Sequence, residues 1–233
     1  MVASTVSRKQ QEIKVRDQLI LSAASLLFAE QGYHGTTMQN IADAVDYSKG
    51  TIYQHYTCKE EVLAKLFLQC SDTLQASMQK IINKDFHIRD TILLISGIFL
   101  KHTKDEPGIA GNVTLVQSLD FVAKLSQDSQ KQLLDSERIM LSQVISIFSN
   151  YPEFDAKKVK PAAFGWWSMQ LGVQNIMVSG WKIETMGFKS PEEHIIESLN
   201  VFITGLGIST MGTCESWLDV KKKMQKTLDI NTF

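Results

Sequence analysis

Apolar residues in this chain recur three and four positions apart, and that spacing constrains the fold more than any other feature. Leu19, Ile20, Ala23, Ala24, Leu27 and Phe28 fall on one face of a helix over about 14–31, and Gly32 follows as a stop. A helix with such a face must bury it against another element. Alternating β-branched runs, the mark of half-buried strands, are missing along the chain. The expectation is an all-α protein.

The pattern continues. Thr36, with Gln39 three residues on, matches a capping box for a short helix carrying Met38, Ile41, Ala42 and Val45. Asp46 and Tyr47 interrupt it, and Ser48 is placed to cap a third helix from Lys49 to Tyr56. A long fourth helix runs from Lys59 to about Asn83, with Val62, Leu63, Leu66, Phe67, Cys70, Leu74, Met78 and Ile81 in period. Further helices are expected at 88–104, 109–124, 127–149, 156–182, 191–208 and 214–228, separated by Pro107-Gly108, Asn150-Tyr151-Pro152, Gly187 and Ser190-Pro191.

Two short helices joined by a tight turn, 36–45 and 48–56, read as a helix-turn-helix. A major groove admits the N-terminal end of a short, braced helix, and the free amides of helix N-termini attract phosphate oxygens. The formal net charge is −1, so the chain as a whole is not a polycation. Any contact with a nucleic acid must come from local placement of groups.

The order and spacing of several elements make the comparison specific. They are Phe28-Ala29-Glu30-Gln31-Gly32-Tyr33, Thr36-Thr37, Ile41-Ala42-Asp43-Ala44, Ser48-Lys49-Gly50-Thr51-Ile52-Tyr53-Gln54-His55-Tyr56 and Lys59-Glu60-Glu61-Val62-Leu63. This stretch resembles the tetracycline-repressor (TetR) family of transcriptional regulators over about residues 14–75. The resemblance implies that Thr37, Lys49, Tyr53, His55 and Lys59 touch phosphates. It implies that Lys49, Gly50, Thr51 and Gln54 lie nearest base edges, with Ile52 and Tyr56 packed inward. Asp46 stands where the family usually has glycine. Asp tolerates the left-handed conformation that such a turn needs. Tyr47 replaces a usual small aliphatic residue.

The larger remainder is helical without a motif of its own. The run Ile92-Leu93-Leu94-Ile95-Ser96-Gly97-Ile98-Phe99-Leu100 is apolar nearly all round and should pass through the middle of a bundle. His102 at its end reads as a capping histidine or as a ligand-sensing group. On helix 156–182, Gly165, Ser168, Gly172 and Ser179 form a small-residue stripe, while Trp166, Met169, Gln170, Val173 and Met177 point elsewhere. With Phe99 and His102, that second set is the expected lining of a pocket for an apolar or amphipathic effector, although such a face also serves as plain core. In the resembling family the last two main helices pair with their copies. An apolar helix pair needs a cover in any case.

Composition excludes several classes. The hydrophobic fraction of 44% with 21% charged residues is that of a globular chain. Three cysteines, Cys58, Cys70 and Cys214, form no framework, which fits a reducing compartment. Residues 1–9 are polar and do not read as a secretory signal. Pro161 to Trp181 is uncharged, but its Ser, Gln, Asn and Gly residues favour a buried helix over a membrane span. The five histidines are scattered, and no metal, cofactor or catalytic motif is present.

The sequence therefore predicts an N-terminal three-helix helix-turn-helix head on a larger C-terminal helical bundle that dimerises. Residues 14–75 form the head, 76–210 the ligand-binding and dimerisation part, and 211–233 a helical extension. The expected function is that of a cytoplasmic repressor, a homodimer on a palindromic DNA operator, released by an unknown small molecule. Two alternatives stay open. One is an architectural or cell-division-linked DNA binder of the same fold, controlled by a protein partner. The other is an all-helical enzyme or lipid carrier.

Overall fold

Helix packs on helix throughout. The computed structural model describes residues 8–151, 154–208 and 214–229, and all regular structure among them is helical. The first helix, α1 (Arg8–Gly35), is broken at Gly32, whose φ of 74° ends the regular turns where the sequence placed a stop. Then come α2 (Met38–Ala44), α3 (Lys49–His55) and the long α4 (Lys59–Ile82). The bundle adds α5 (Ile88–Asp105), three single-turn helices α6 (Pro107–Ala110), α7 (Val113–Val116) and α8 (Leu119–Val122), then α9 (Gln127–Ser149), α10 (Ala156–Val178), α11 (Pro191–Gly205) and α12 (Trp217–Leu228).

Three expectations need correction. The capping box is shifted by one residue. Thr37, not Thr36, caps α2, and its partner is Asn40, whose Oδ1 accepts the Thr37 backbone N–H at 3.0 Å. Thr36 is fully buried, and its hydroxyl donates to the Gly32 carbonyl at 2.9 Å. The single helix expected over 109–124 is three short turns. The breaks fall at Gly111-Asn112, which end α6 and begin α7, and at Ser118, which starts α8 by accepting the Phe121 N–H. The helix expected to reach 182 ends at Val178, before Gly180 at φ 74°.

Two apolar cores result. One gathers Ile20, Phe28, Ile41, Ile52, Val62 and Leu63 in the head, yet it also takes in Ile109, Val116, Phe121, Leu125 and Leu133. The head's core thus runs past its sequence limits, and α6–α9 are packed beneath it. The second core surrounds α5, which is buried along almost its whole length as its sequence suggested. α4 belongs to both cores, with Leu63 in the first and Met78 and Ile81 in the second.

The described part of the C-terminal extension is built into the bundle. Met224, Val220 and Trp217 of α12 close over Gly97, where a Cβ would meet the Met224 sulfur at 2.5 Å. Arg89 donates to the Cys214 carbonyl at 2.8 Å, and Lys223 pairs with the buried Asp90 at 2.7 Å. Residues 211–213 and 230–233 of the expected extension, and Pro152 of the expected turn, lie outside the described residues. No helix among the described residues is long and apolar enough to cross a membrane.

Candidate nucleic-acid interface and ligand cavity

The turn between α2 and α3 is built by Asp46, which takes the left-handed conformation at φ 54°. Tyr47 N–H then returns to the Ala42 carbonyl at 3.0 Å. Ser48 caps α3 by accepting the Thr51 N–H at 3.1 Å, and the two hydroxyls lie 2.8 Å apart. Ile52 is wholly buried beneath, and Tyr56 is 8% exposed. The Tyr56 hydroxyl donates to Asp17 of α1 at 2.6 Å. Burial, then this hydrogen bond, raises the phenol's pKa, so it remains a donor. α3 is thereby held to α1 at its back.

Its outer side is free. Ser48, Lys49, Gly50, Tyr53 and Gln54 are exposed, as is Thr37 at the start of α2. Lys49 and Tyr53 share a helical face, with the ammonium 5.8 Å from the ring centre. A Cβ on Gly50 would meet only the Ser48 hydroxyl at 3.7 Å, so nothing within the chain requires glycine there. Thr51 is half-buried against Ser48.

Two residues of the expected interface turn inward. His55 has a side chain only 11% exposed, with Nδ1 3.7 Å from Asp17. Lys59 donates to the Tyr33 and Thr36 carbonyls at 2.6 and 2.8 Å and lies over the Tyr33 ring at 4.1 Å. It ties α4 to the end of α1, which leaves unsatisfied carbonyls for a cation to meet. Burial lowers its pKa below that of a free lysine.

The second feature is a cavity of about 440 Å³ among α4, α5, α6, α7, α9 and α10. Phe67, Cys70 and Leu74 line it from α4, and Phe99 and His102 from α5. Glu106, Ile109 and Val113 form the α6–α7 side, and Glu137, Met140 and Leu141 the α9 side. From α10 come Phe164, Trp167, Leu171 and Gln174. Of the seven expected ligand-binding residues, only Phe99 and His102 are here.

The other five correct the helix register. Trp166 is 0% exposed, and its indole N–H donates to Ser96 at 3.1 Å; Gln170 reaches the same hydroxyl at 2.9 Å. Val173 is buried in the bundle core, and Met169 and Met177 pack against it. An indole buried without a partner is costly, so Trp166 turns to Ser96 and the neighbouring Trp167 meets the cavity. Cys70 and His102 face each other at 3.9 Å. Burial pushes the Cys70 thiol up to about 12 and the His102 imidazole down, so both are neutral in the wall.

Residues 20–66 match the model of bacterial regulatory proteins of the tetR family. That match falls on the helix-turn-helix head, from α1 into the start of α4. The IcaR negative regulator of the icaADBC biofilm operon from Staphylococcus epidermidis is 39% identical over 56 residues, 24% of this chain and 30% of IcaR. The KstR2 repressor of Rhodococcus jostii is 25% identical over 119 residues, 51% of this chain and 52% of KstR2. These alignments thus span about half or less of the relatives' own length.

The fold likeness runs further. A TetR-family regulatory protein from Rhodococcus RHA1 superposes with a TM-score of 0.64 at 20% identity, covering 83% of this chain and 97% of its own. FadR of Bacillus subtilis, solved in complex with stearoyl-CoA, gives 0.58 at 19%, covering 81% and 98%.

Sequence reasoning misses every lining residue except Phe99 and His102, including Phe67, Cys70 and Leu74 on α4 and Trp167 on α10. In the sequence Phe67, Cys70 and Leu74 show only as the apolar stripe of α4, and that stripe is the available signal. Glu106 gave none, because a lone acid before Pro107 looks like a solvated helix end.

Proposed function

We propose that this protein is a DNA-binding transcriptional repressor that acts as a homodimer in the cytoplasm. It holds a palindromic operator and leaves it when an apolar or amphipathic small molecule fills the cavity. The observation that carries the reading is the two-sided character of α3. Ile52 and Tyr56 anchor it, while Lys49, Gly50, Tyr53 and Gln54 stand open to a partner along its outer face. Gly50, needed by nothing inside the chain, suits close backbone approach to a duplex. The named relatives are transcriptional regulators and repressors.

Dimerisation is proposed through α10 and α11. Ser168, Gly172 and Ser179 face outward between Phe164, 50% exposed, and Trp181, 63% exposed; Val201 of α11 is 76% exposed. Apolar and small side chains on adjoining outer faces suit a second copy. Gly165 does not join them, since it packs against Phe202. FadR's bound stearoyl-CoA supports a small-molecule role for a bundle of this shape.

Mobility-shift titration of the gene's own upstream DNA, with and without fractionated metabolites, tests the proposal. Retarded bands at one or two palindromes, lost on adding a fraction, are expected. Binding at many dispersed sites that responds only to a protein partner would restore the architectural alternative. No DNA affinity at all would overturn both.

A further inference from the structure

The cavity's electrostatics are one-sided. Its walls are aromatic at Phe67, Phe99, Phe164 and Trp167, and it carries two carboxylates, Glu106 and Glu137. Among the described residues, neither lysine nor arginine lines it. His102, the one described lining group that could turn positive, has its pKa lowered by burial, which favours the neutral form. Nearby cations are engaged elsewhere: Arg138 with Asp135 at 3.5 Å, Lys101 with Asp105 at 2.6 Å, and Lys104 with Glu192. An anionic headgroup would enter such a space without a partner, and that is expensive. A cation would meet ring faces and carboxylates at once.

Glu106 has a second contact. Its Oε2 accepts the hydroxyl of Ser25 on α1 at 3.1 Å. Cys70, His102, Glu106 and Ile109 line both this cavity and the crevice on the α1 side, so they form the wall between them. One carboxylate therefore borders the ligand space and holds the first helix of the DNA-binding head.

We propose that the cavity selects a lipophilic cation, and that Glu106 reads the cation's charge by giving up Ser25. This deepens the proposed ligand-released repressor and rests on that reading. The ligand binds best when Glu106 turns inward, and that state has lost a tie to α1. Operator binding and cation binding then oppose each other through one side chain.

Tetraphenylphosphonium and tetraphenylborate, alike in shape and opposite in charge, are the probes. The readouts are quenching of tryptophan fluorescence, to which Trp167 contributes, and calorimetry on the full chain. The phosphonium should bind at least about tenfold more tightly than the borate. Glu106→Gln should shrink that ratio toward one without loss of thermal stability, because the amide oxygen still accepts Ser25. Ser25→Ala should tighten phosphonium binding and widen the ratio, since the carboxylate is released in advance and favours only the cation. Equal or tighter binding of the borate, or an unchanged ratio in Glu106→Gln, overturns the proposal. If a neutral amphipath such as decanol binds and neither ion does, the charge assignment falls and the ligand cavity stands. If none of the three probes binds, the ligand reading falls, and this one with it.

Discussion

Gly108 lies so close to Ala29 that a Cβ on it would stand 2.7 Å from the Ala29 backbone nitrogen. The short helix α6 thus rests directly on the backbone of α1, while its next residues, Ile109 and Ala110, line the cavity. Head and cavity share this element, and no flexible side chain cushions the contact. Gly108→Ala must push α6 and α1 apart. Overpacking of this kind costs about 1–3 kcal/mol. The variant should melt at lower temperature and bind operator DNA more weakly even without ligand. A melting curve and a DNA titration matching wild type would show that α6 is free to shift, and the contact would lose its coupling role.

The recognition helix and Lys59 separate contact from support. Lys49→Ala should weaken binding to all duplexes alike and lower the salt slope of affinity by about one. Tyr53→Ala should cost about 1–3 kcal/mol of operator affinity, with the helical circular dichroism unchanged. Lys59→Gln should behave differently. It removes charge-assisted bonds to the Tyr33 and Thr36 carbonyls, so it should lower the melting temperature by destabilising the head. Its salt slope should match wild type. A slope reduced to the same degree as in Lys49→Ala would return Lys59 to the phosphate contacts.

The head was legible in the sequence because its signals are local. Gly32 must break a helix, Ser48 can cap the next, and Asp46 can adopt a positive φ; each holds at its own position. The error at Thr36 and Thr37 arose where two identical neighbours offered the same capping chemistry. Burial chose between them, and burial is a tertiary property. The inward turn of His55 and Lys59 depends on Asp17, Tyr33 and Thr36, from other elements, so no local pattern carried it.

The cavity was less legible, for a definite reason. α10 is apolar on most sides, so periodicity gives its helical character but not its phase. Trp166 and Trp167 are equally hydrophobic. Only the Ser96 hydroxyl, a residue 70 positions away, fixes which of them turns to the core.

That register is itself testable. Trp166→Ala should destabilise the protein by about 3–5 kcal/mol, because it empties the middle of the core and leaves Ser96 with one partner fewer. Trp167→Ala should cost far less stability, since its side chain is half-buried at the cavity wall. It should nevertheless blunt ligand-induced release of DNA and reduce the fluorescence change on ligand binding. Chemical denaturation and fluorescence titration on the two variants decide the matter. Reversed results would place the cavity on the other face of α10.

The outer face of α10 gives the last prediction. Gly172 is exposed, and a Cβ there would have no neighbour within 4 Å, so the position tolerates a side chain in the isolated protomer. Gly172→Glu should therefore fold. In a dimer that packs α10 against its copy, the same change buries two like charges near each other. Desolvation and repulsion would then act together, and the protomers should separate. Two heads must dock in major grooves about 34 Å apart along one face of DNA. A monomer keeps the contacts of one head but loses the gain from linking the second, which for tethered sites reaches at least about a hundredfold. Operator affinity should fall by that factor, while the melting temperature of the protomer changes little. Sedimentation velocity reads the assembly directly. A wild type already monomeric at micromolar concentration, or a Gly172→Glu variant that stays dimeric with full operator affinity, would remove α10 from the proposed interface.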